Sequence, residues 1–164
     1  MRIAGIDGST TSTGVSIMLD GQLEFYKLID LHKEKNAMKR IPQMLLKICE
    51  ILDRYDIDAV YMEKSVLKNN VDTVQKLANL AGGIMLYCAQ NGITFHHPLP
   101  SEWRAKIGIK QSNKIKRELL KEEAIAAVKK EYGINVNDDV AESVLIARSA
   151  FDMPKIDISE DLLL

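Results

Sequence analysis

Four acidic residues occur where apolar stretches of the sequence begin or end. Asp7 and Glu63 each close a short apolar run, and Asp139 and Glu142 open the last one. A side chain at the end of a buried element can leave the core and face a cleft, where carboxylates from separate elements meet. Carboxylate oxygens are the hard ligands that Mg²⁺ and Mn²⁺ prefer, whereas the sequence has no Cys/His spacing suited to zinc. The sequence therefore predicts a divalent-metal site made of these four acids.

The spacing of the last acids leaves one ligand open. Asp139 and Glu142 are three residues apart, which puts both carboxylates on one face of a helix. Asp138 is four residues before Glu142 and can take the same role, so spacing does not choose between Asp138 and Asp139. Each acid alone can also be a helix cap, a turn residue or an exposed strand end. The position of Glu63 supports a shared site for the four acids. A carboxylate at the end of a central strand destabilises the fold unless a cation pairs with it.

The charge distribution points to a local contact with nucleic acid. A net charge of −1 excludes a uniformly basic surface, yet the stretch from Arg104 to Lys121 carries seven cations and one anion. An ordinary solvated helix face is the alternative interpretation of this stretch, and Trp103 beside it is predicted to lie in the core. The residues predicted to contact DNA phosphates are Arg104, Lys106, Lys110, Lys114, Lys116 and Arg117.

Hydrophobic periodicity predicts the elements that carry these residues. Alternating or continuous apolar runs indicate five strands, and Asp20-Gly21 is typical of a hairpin turn between the second and the third. Three- and four-residue spacing indicates helices, and Ser101 is predicted to cap a short one. The predicted strands are 2–7, 15–19, 22–29, 59–63 and 93–96, and the predicted long helices are 36–55, 71–91, 113–132 and 138–151.

The length of 164 residues favours one domain, 1–164, in which about 152–164 form an acidic C-terminal tail that is either packed or mobile. No apolar stretch approaches the roughly 20 residues of a membrane span, so we expect a soluble protein of the cytoplasm of a prokaryotic or phage-infected cell. Cys49 and Cys88 lie in apolar helical patterns and are expected to be reduced core residues.

Three stretches of the chain resemble one family. The segment 5–14, which reads GIDGSTTSTG, is similar to the opening motif of RuvC-type Holliday-junction resolvases. Glu63 resembles their second acid, and the segment 139–147, DVAESVLIA, resembles their final acidic helix. The resemblance covers nearly the whole chain in the same order. The short chain and the segment 101–104, SEWR, look most similar to phage-encoded members.

The resemblance implies an α/β fold of the RNase H-like type, with a five-stranded mixed sheet of three antiparallel strands and then parallel strands, flanked by helices. It implies a crossover junction endodeoxyribonuclease that resolves Holliday junctions by paired nicks, leaving 5′-phosphate and 3′-hydroxyl ends. Two Mg²⁺ ions per active site, replaceable by Mn²⁺, would be held by the four acids, with Asp7 as the bridging ligand. Lys114 matches a functional lysine of the family. The enzyme would be a homodimer, with the helix around 77–83 as its contact.

The chain also departs from the family pattern. Bacterial members usually carry Asp at the position of Glu142, a proline before the position of Gly8, and an aromatic at that of Val66. The missing aromatic makes activity on flaps, forks and other branched DNA a real alternative to strict junction selectivity. Two other readings stay open: a non-catalytic module that binds branched DNA, and a nucleotide-binding domain of the actin and sugar-kinase type that uses Asp7 and the Ser/Thr-rich turn.

Overall fold

The computed structural model describes residues 1–66, 70–112 and 114–156. Its strands and helices follow one another in the predicted order: three strands, then a helix, a strand, a helix and a strand, and finally three helices. The strands are β1 (Arg2–Asp7), β2 (Ser12–Leu19), β3 (Gln22–Asp30), β4 (Ala59–Met62) and β5 (Thr94–His96). The helices are α1 (Ala37–Leu52), α2 (Val71–Gln90), α3 (Pro100–Ile107), α4 (Arg117–Tyr132) and α5 (Asp138–Arg148).

The five strands form one mixed sheet with the order β3-β2-β1-β4-β5. The first three strands pair antiparallel, whereas β4 pairs parallel with both β1 and β5. Asp20 and Gly21 both have positive φ, +49° and +84°, as the predicted tight hairpin turn requires. The predicted five-stranded mixed sheet is therefore confirmed, and β1 and β4, which end next to the acids Asp7 and Glu63, are neighbours at its centre.

Helices cover both faces of this sheet. On one face, α1 and α2 bury apolar side chains such as Ile48 and Leu80 against the sheet. On the other face, α3, α4 and α5 enclose a second core that includes Trp103, Ala124 and Val144. Strands covered on both sides are buried along their whole interior, as β1 and β2 are.

Helix α5 approaches β1 and β2 unusually closely. A Cβ atom added at Gly14 would lie 2.0 Å from the Asp139 carbonyl oxygen, and one added at Gly5 would lie 2.1 Å from the Ser143 carbonyl oxygen. The Ser16 hydroxyl donates to that same Ser143 carbonyl over 2.8 Å. Glycine at these two positions thus lets α5 lie directly on β1 and β2.

The structure corrects several predicted boundaries. β2 begins three residues earlier than predicted, α1 ends at Leu52, α5 ends at Arg148, and α4 begins at Arg117. The predicted start of α4 at Asn113 lies outside the described residues. Ser101 does not cap α3: the helix begins at Pro100, and the Glu102 carboxylate accepts from the Leu99 backbone N–H over 2.7 Å. Proline at the first helical position needs no N–H partner, which moves the cap back to Leu99.

The start of the predicted tail packs against the domain. Ile156 is buried, and its N–H donates to the Ile107 carbonyl over 2.9 Å. The Pro154 carbonyl accepts from Arg148 over 2.7 Å. The remainder of the predicted tail, 157–164, lies outside the described residues. Within the described part of the chain, no helix has both the length and the apolarity to cross a lipid bilayer.

Candidate active site

A cleft of about 1110 Å³ opens where β1 and β4 end and α5 begins. It contains all four of the acids predicted from the sequence, together with polar residues of the turn after β1. It also contains cationic side chains from four different helices. The charged residues that line it are Asp7, Glu63, Asp139, Glu142, Arg40, Lys76, Arg104 and Arg117.

The core determines where the backbones of these acids lie. Asp7 is the last residue of the buried strand β1. Glu63 directly follows β4, and its N–H donates to the Ile6 carbonyl over 3.2 Å, which places it beside Asp7. Asp139 and Glu142 reach the same place because α5 lies on Gly5 and Gly14. Four residues distant in sequence thus line one cleft.

The structure distinguishes the two adjacent aspartates. Asp139 lines the cleft and accepts a hydrogen bond from the Ser12 hydroxyl. Asp138 is not among the cleft residues and instead pairs with Lys121 of α4. Burial alone would raise the pKa of Asp138, but the hydrogen bond and the charge of Lys121 outweigh it and lower that pKa. Of the two aspartates that spacing could not separate, Asp139 is therefore the one that lines the cleft.

Arg104 and Trp103, adjacent residues of α3, contact two of the acids. The buried Arg104 guanidinium forms an ion pair with the buried Glu142 carboxylate, and its Nη2 lies 3.9 Å from Glu63 Oε2. The Trp103 indole N–H donates to the same Glu63 oxygen over 2.7 Å. Gln111 holds Arg104 from the other side, where its Oε1 accepts from Nη1 over 3.0 Å. Trp103 is fully buried, which confirms its predicted core position and excludes base stacking in this conformation.

Burial and neighbouring like charges act together on the acids of the cleft. The pKa of Asp7 is raised well above its ordinary value, first by desolvation and then by the charges of Glu142, Glu63 and Asp139. The pKa of Glu63 is also raised, because desolvation outweighs the opposing effects of Arg104 and the Trp103 N–H. Desolvation and nearby like charges both disfavour the ionised form of a carboxyl group, which accounts for the raised pKa values of Asp7 and Glu63.

The donor set suits a hard divalent cation. Among the residues that the structure describes, no three Asp, Glu, His or Cys side chains are already arranged to hold one metal ion. Arg104 forms an ion pair with Glu142 and lies near Glu63. Its positive charge therefore balances part of the negative charge that a bound metal ion would balance. Oxygen donors, clustered negative charge and a raised Asp7 pKa together fit Mg²⁺ or Mn²⁺.

The structure divides the predicted DNA contacts into two groups. Arg104 and Arg117 line the cleft, although Arg104 is buried and paired with Glu142 rather than free. The four predicted lysines have exposed side chains and do not belong to the cleft lining. They are Lys106, Lys110, Lys114 and Lys116. DNA contact by either group stays a prediction, as does a catalytic role for Lys114.

The sequence analysis missed polar residues of the cleft, among them Ser12 and Arg40. Ser12 holds Asp139, and Arg40 of α1 reaches the turn after β1, where its guanidinium donates to the Thr10 hydroxyl over 3.3 Å. Arg40 looks like any surface cation in its amphipathic helix, so no local signal distinguishes it. Val66, at the position where an aromatic is usual in the family, lies in the cleft and is exposed.

Solved structures of similar shape identify the class of fold. "T. thermophilus RuvC in complex with Holliday junction substrate" has a TM-score of 0.74 at 18% identity, covering 91% of this chain and 92% of that one. The fowlpox virus resolvase in complex with Holliday junction DNA has a TM-score of 0.61 at 15% identity, covering 100% of both chains. At these identities the likeness shows the fold, which is the RNase H-like fold expected from the resemblance.

Sequence comparison identifies the family. The model described as "Crossover junction endodeoxyribonuclease RuvC" matches residues 3–146, so the chain belongs to the RuvC family. Curated relatives of that name include one from Mycobacterium leprae, 28% identical over 112 residues, and one from Corynebacterium glutamicum, 25% identical over 112 residues. These matches cover 65% of this chain but only 60% and 51% of the two relatives, so the chain spans little more than half of their length.

Proposed function

We propose that this protein is a metal-dependent endonuclease that cuts four-way DNA junctions by paired nicks, with the whole chain acting as one nuclease domain. The observation that carries the proposal is the meeting of Asp7, Glu63, Asp139 and Glu142 in one cleft with Arg104 and Arg117. Membership of the RuvC family and the junction bound by the Thermus relative support the same substrate class. For such an enzyme we propose the cytoplasm of a prokaryotic or phage-infected cell as the place of action.

The four acids would hold two Mg²⁺ ions, or Mn²⁺ in their place, with Asp7 as the shared ligand because the charges of the other three all act on it. Bound divalent ions supply a Lewis acid for the phosphodiester and a water of lowered pKa, which gives 5′-phosphate and 3′-hydroxyl ends. Ser12 fixes the orientation of the Asp139 carboxylate. Arg117 and the exposed Lys114 would contact phosphates next to the cut, where Lys114 would also assist catalysis.

A homodimer would present two such clefts to one junction. Gly82, Met85 and Leu86 lie on one face of α2, and the last two are 53% and 60% exposed. A Cβ atom at Gly82 would meet nothing within 4 Å, whereas one at Gly83 would lie 2.6 Å from Leu45. Gly83 therefore serves the packing of α1 on α2, and the open Gly82 face is the part of the predicted contact that is free for a partner subunit.

Oligomeric state in solution tests this contact. Leu86→Glu should convert a dimer to a monomer, measured by size-exclusion chromatography with light scattering, because it places a charge in an apolar interface. Leu119→Glu is the matched control, since Leu119 is similarly exposed but belongs to α4 on the opposite face of the sheet. A Leu86→Glu protein that stays dimeric would place the interface elsewhere.

The function itself is tested with a labelled four-way junction, a replication-fork substrate and a matched linear duplex, each with and without Mg²⁺. Wild-type protein should nick the junction at paired positions only with metal, and Asp7→Asn should bind the junction without cutting it. Equal cutting of forks would widen the substrate to branched DNA, as the exposed Val66 allows. Junction binding without any cutting by the wild type would favour a non-catalytic module.

A further inference from the structure

We propose that Trp103 is a positioning residue for Glu63: its indole N–H holds one carboxylate oxygen in place so that the other oxygen is presented to a divalent cation. This inference rests on the proposed function, because it concerns the metal site of that function. The side chain was predicted from sequence as ordinary core, and its burial is complete. Its polar atom, however, points out of the core and into the cleft wall.

The Trp103 indole has a strong reason to make this contact. The indole N–H is a donor only, and a fully buried one needs an acceptor. Its acceptor is Glu63 Oε2 at 2.7 Å, 40 residues away in sequence. The ring itself is held by the core around α3, where Ile107 and Ala124 are buried in the same cluster. The donor is therefore carried by a rigid part of the molecule.

Glu63, by contrast, needs an external partner to hold one orientation. Its backbone is tied to β1, and the next N–H, that of Lys64, donates to the Pro98 carbonyl over 2.8 Å. Backbone contacts of this kind leave the torsions of the long Glu63 side chain free. In the described part of the chain, Oε2 receives the Trp103 N–H, while no hydrogen bond to Oε1 is found.

The neutral donor and the nearby cation differ in how they respond to a bound metal. Arg104 Nη2, 3.9 Å from the same oxygen, carries a positive charge that an incoming divalent cation repels. The indole N–H carries no net charge, so its hydrogen bond is compatible with metal on the other oxygen. Hydrogen-bond partners behind a ligating carboxylate orient it, and their loss commonly costs about 10–100-fold in metal affinity or activity.

Metal binding measured without DNA tests this role. Free Mn²⁺ is counted by its electron paramagnetic resonance signal while wild-type, Trp103→Phe and Ile107→Val proteins are titrated. Trp103→Phe keeps an aromatic ring but loses the N–H, so Mn²⁺ affinity should fall about 10-fold or more, and excess Mn²⁺ should restore most of the cleavage rate. Ile107→Val, which removes volume from the same core, should leave Mn²⁺ affinity unchanged.

A second measurement does not depend on the Trp103→Phe protein. Trp103 is the only tryptophan, so the fluorescence of the wild-type protein reports on this one indole. Mg²⁺ should change its emission saturably, and Glu63→Gln should abolish the change. Wild-type affinity in a folded Trp103→Phe protein, or an emission that ignores Mg²⁺ at concentrations that support cleavage, would overturn the positioning role alone. A wild-type protein that neither binds Mn²⁺ nor cuts junctions would overturn the proposed function and this inference together.

Discussion

The acidic wall of the cleft, made of Asp7, Glu63, Asp139 and Glu142, and the basic segment from Arg104 to Lys121 are built in opposite ways. The acids end or begin core elements, and Glu142 is 5% exposed. The lysines at 106, 110, 114 and 116 have exposed side chains outside the cleft lining. A change in the acidic wall is therefore expected to act on metal and chemistry, whereas a change in the basic segment acts on the general attraction of DNA. Arg104 belongs to the basic segment by sequence but to the acidic wall by contact.

The largest expected effect separates two neighbouring aspartates of α5. Asp139→Asn should slow junction cleavage by about 1,000-fold or more, because a metal site contributes several kcal/mol and each 1.4 kcal/mol is about tenfold in rate. Asp138→Asn, which only breaks the pair with Lys121, should cut within a few fold of wild type. Single-turnover cleavage at saturating Mg²⁺ measures both. The reverse ranking would move the ligand to Asp138.

The acidic wall also depends on the close approach of α5 to the sheet. Gly14→Ala should lower the free energy of unfolding by about 1–3 kcal/mol, because its Cβ atom would collide with the Asp139 carbonyl. Ser16→Ala, which removes a hydrogen bond at the same interface without a collision, should cost only about 1 kcal/mol. Urea unfolding followed by circular dichroism compares the two. Equal losses would show that α5 adapts easily to a Cβ atom.

The acidic wall should carry a pH-dependent cost in the metal-free protein. The pKa of Asp7 is higher in the folded state than in the unfolded state, so its contribution to stability is complete below the unfolded pKa and is lost as pH rises through the folded one. Asp7→Asn removes that charge and should raise stability at pH 8 by on the order of 1 kcal/mol. Thermal melts in EDTA from pH 5 to pH 8 test this. A variant that is less stable than wild type at pH 8 would contradict the cause given for the pKa shift.

The smallest effect belongs to the basic segment. Lys110→Ala should weaken junction binding a few fold and reduce the slope of log affinity against log salt by about 1, without changing the cleavage rate of bound junction. Filter binding at several salt concentrations, with Ca²⁺ in place of Mg²⁺, gives the slope. Lys130→Ala, on the far part of α4, provides a comparison. An unchanged salt slope for Lys110→Ala would remove that lysine from the interface.

Much of this protein was predictable from local sequence patterns. The predicted bounds of strand β1 are the observed ones, and those of β3 and α2 agree to within one residue. Apolar periodicity of two or 3.6 residues can be recognised within a short stretch of sequence, without knowledge of the tertiary structure. The four acids were found for the same reason: each lies at the boundary of such a segment. The starts of α3 and α4 were predicted less well. In α3, Pro100 and the Glu102 side chain moved the cap to Leu99.

Only the tertiary structure decided which side chains meet. Asp138 and Asp139 are equivalent by spacing, and their difference comes from Lys121 on one side and Ser12 on the other. Trp103 reads as core in sequence, but folding brings its N–H to Glu63. Arg104 reads as a surface cation, but it is buried against Glu142. Sequence patterns record which face of an element is apolar, whereas contacts between distant elements depend on how closely those faces pack.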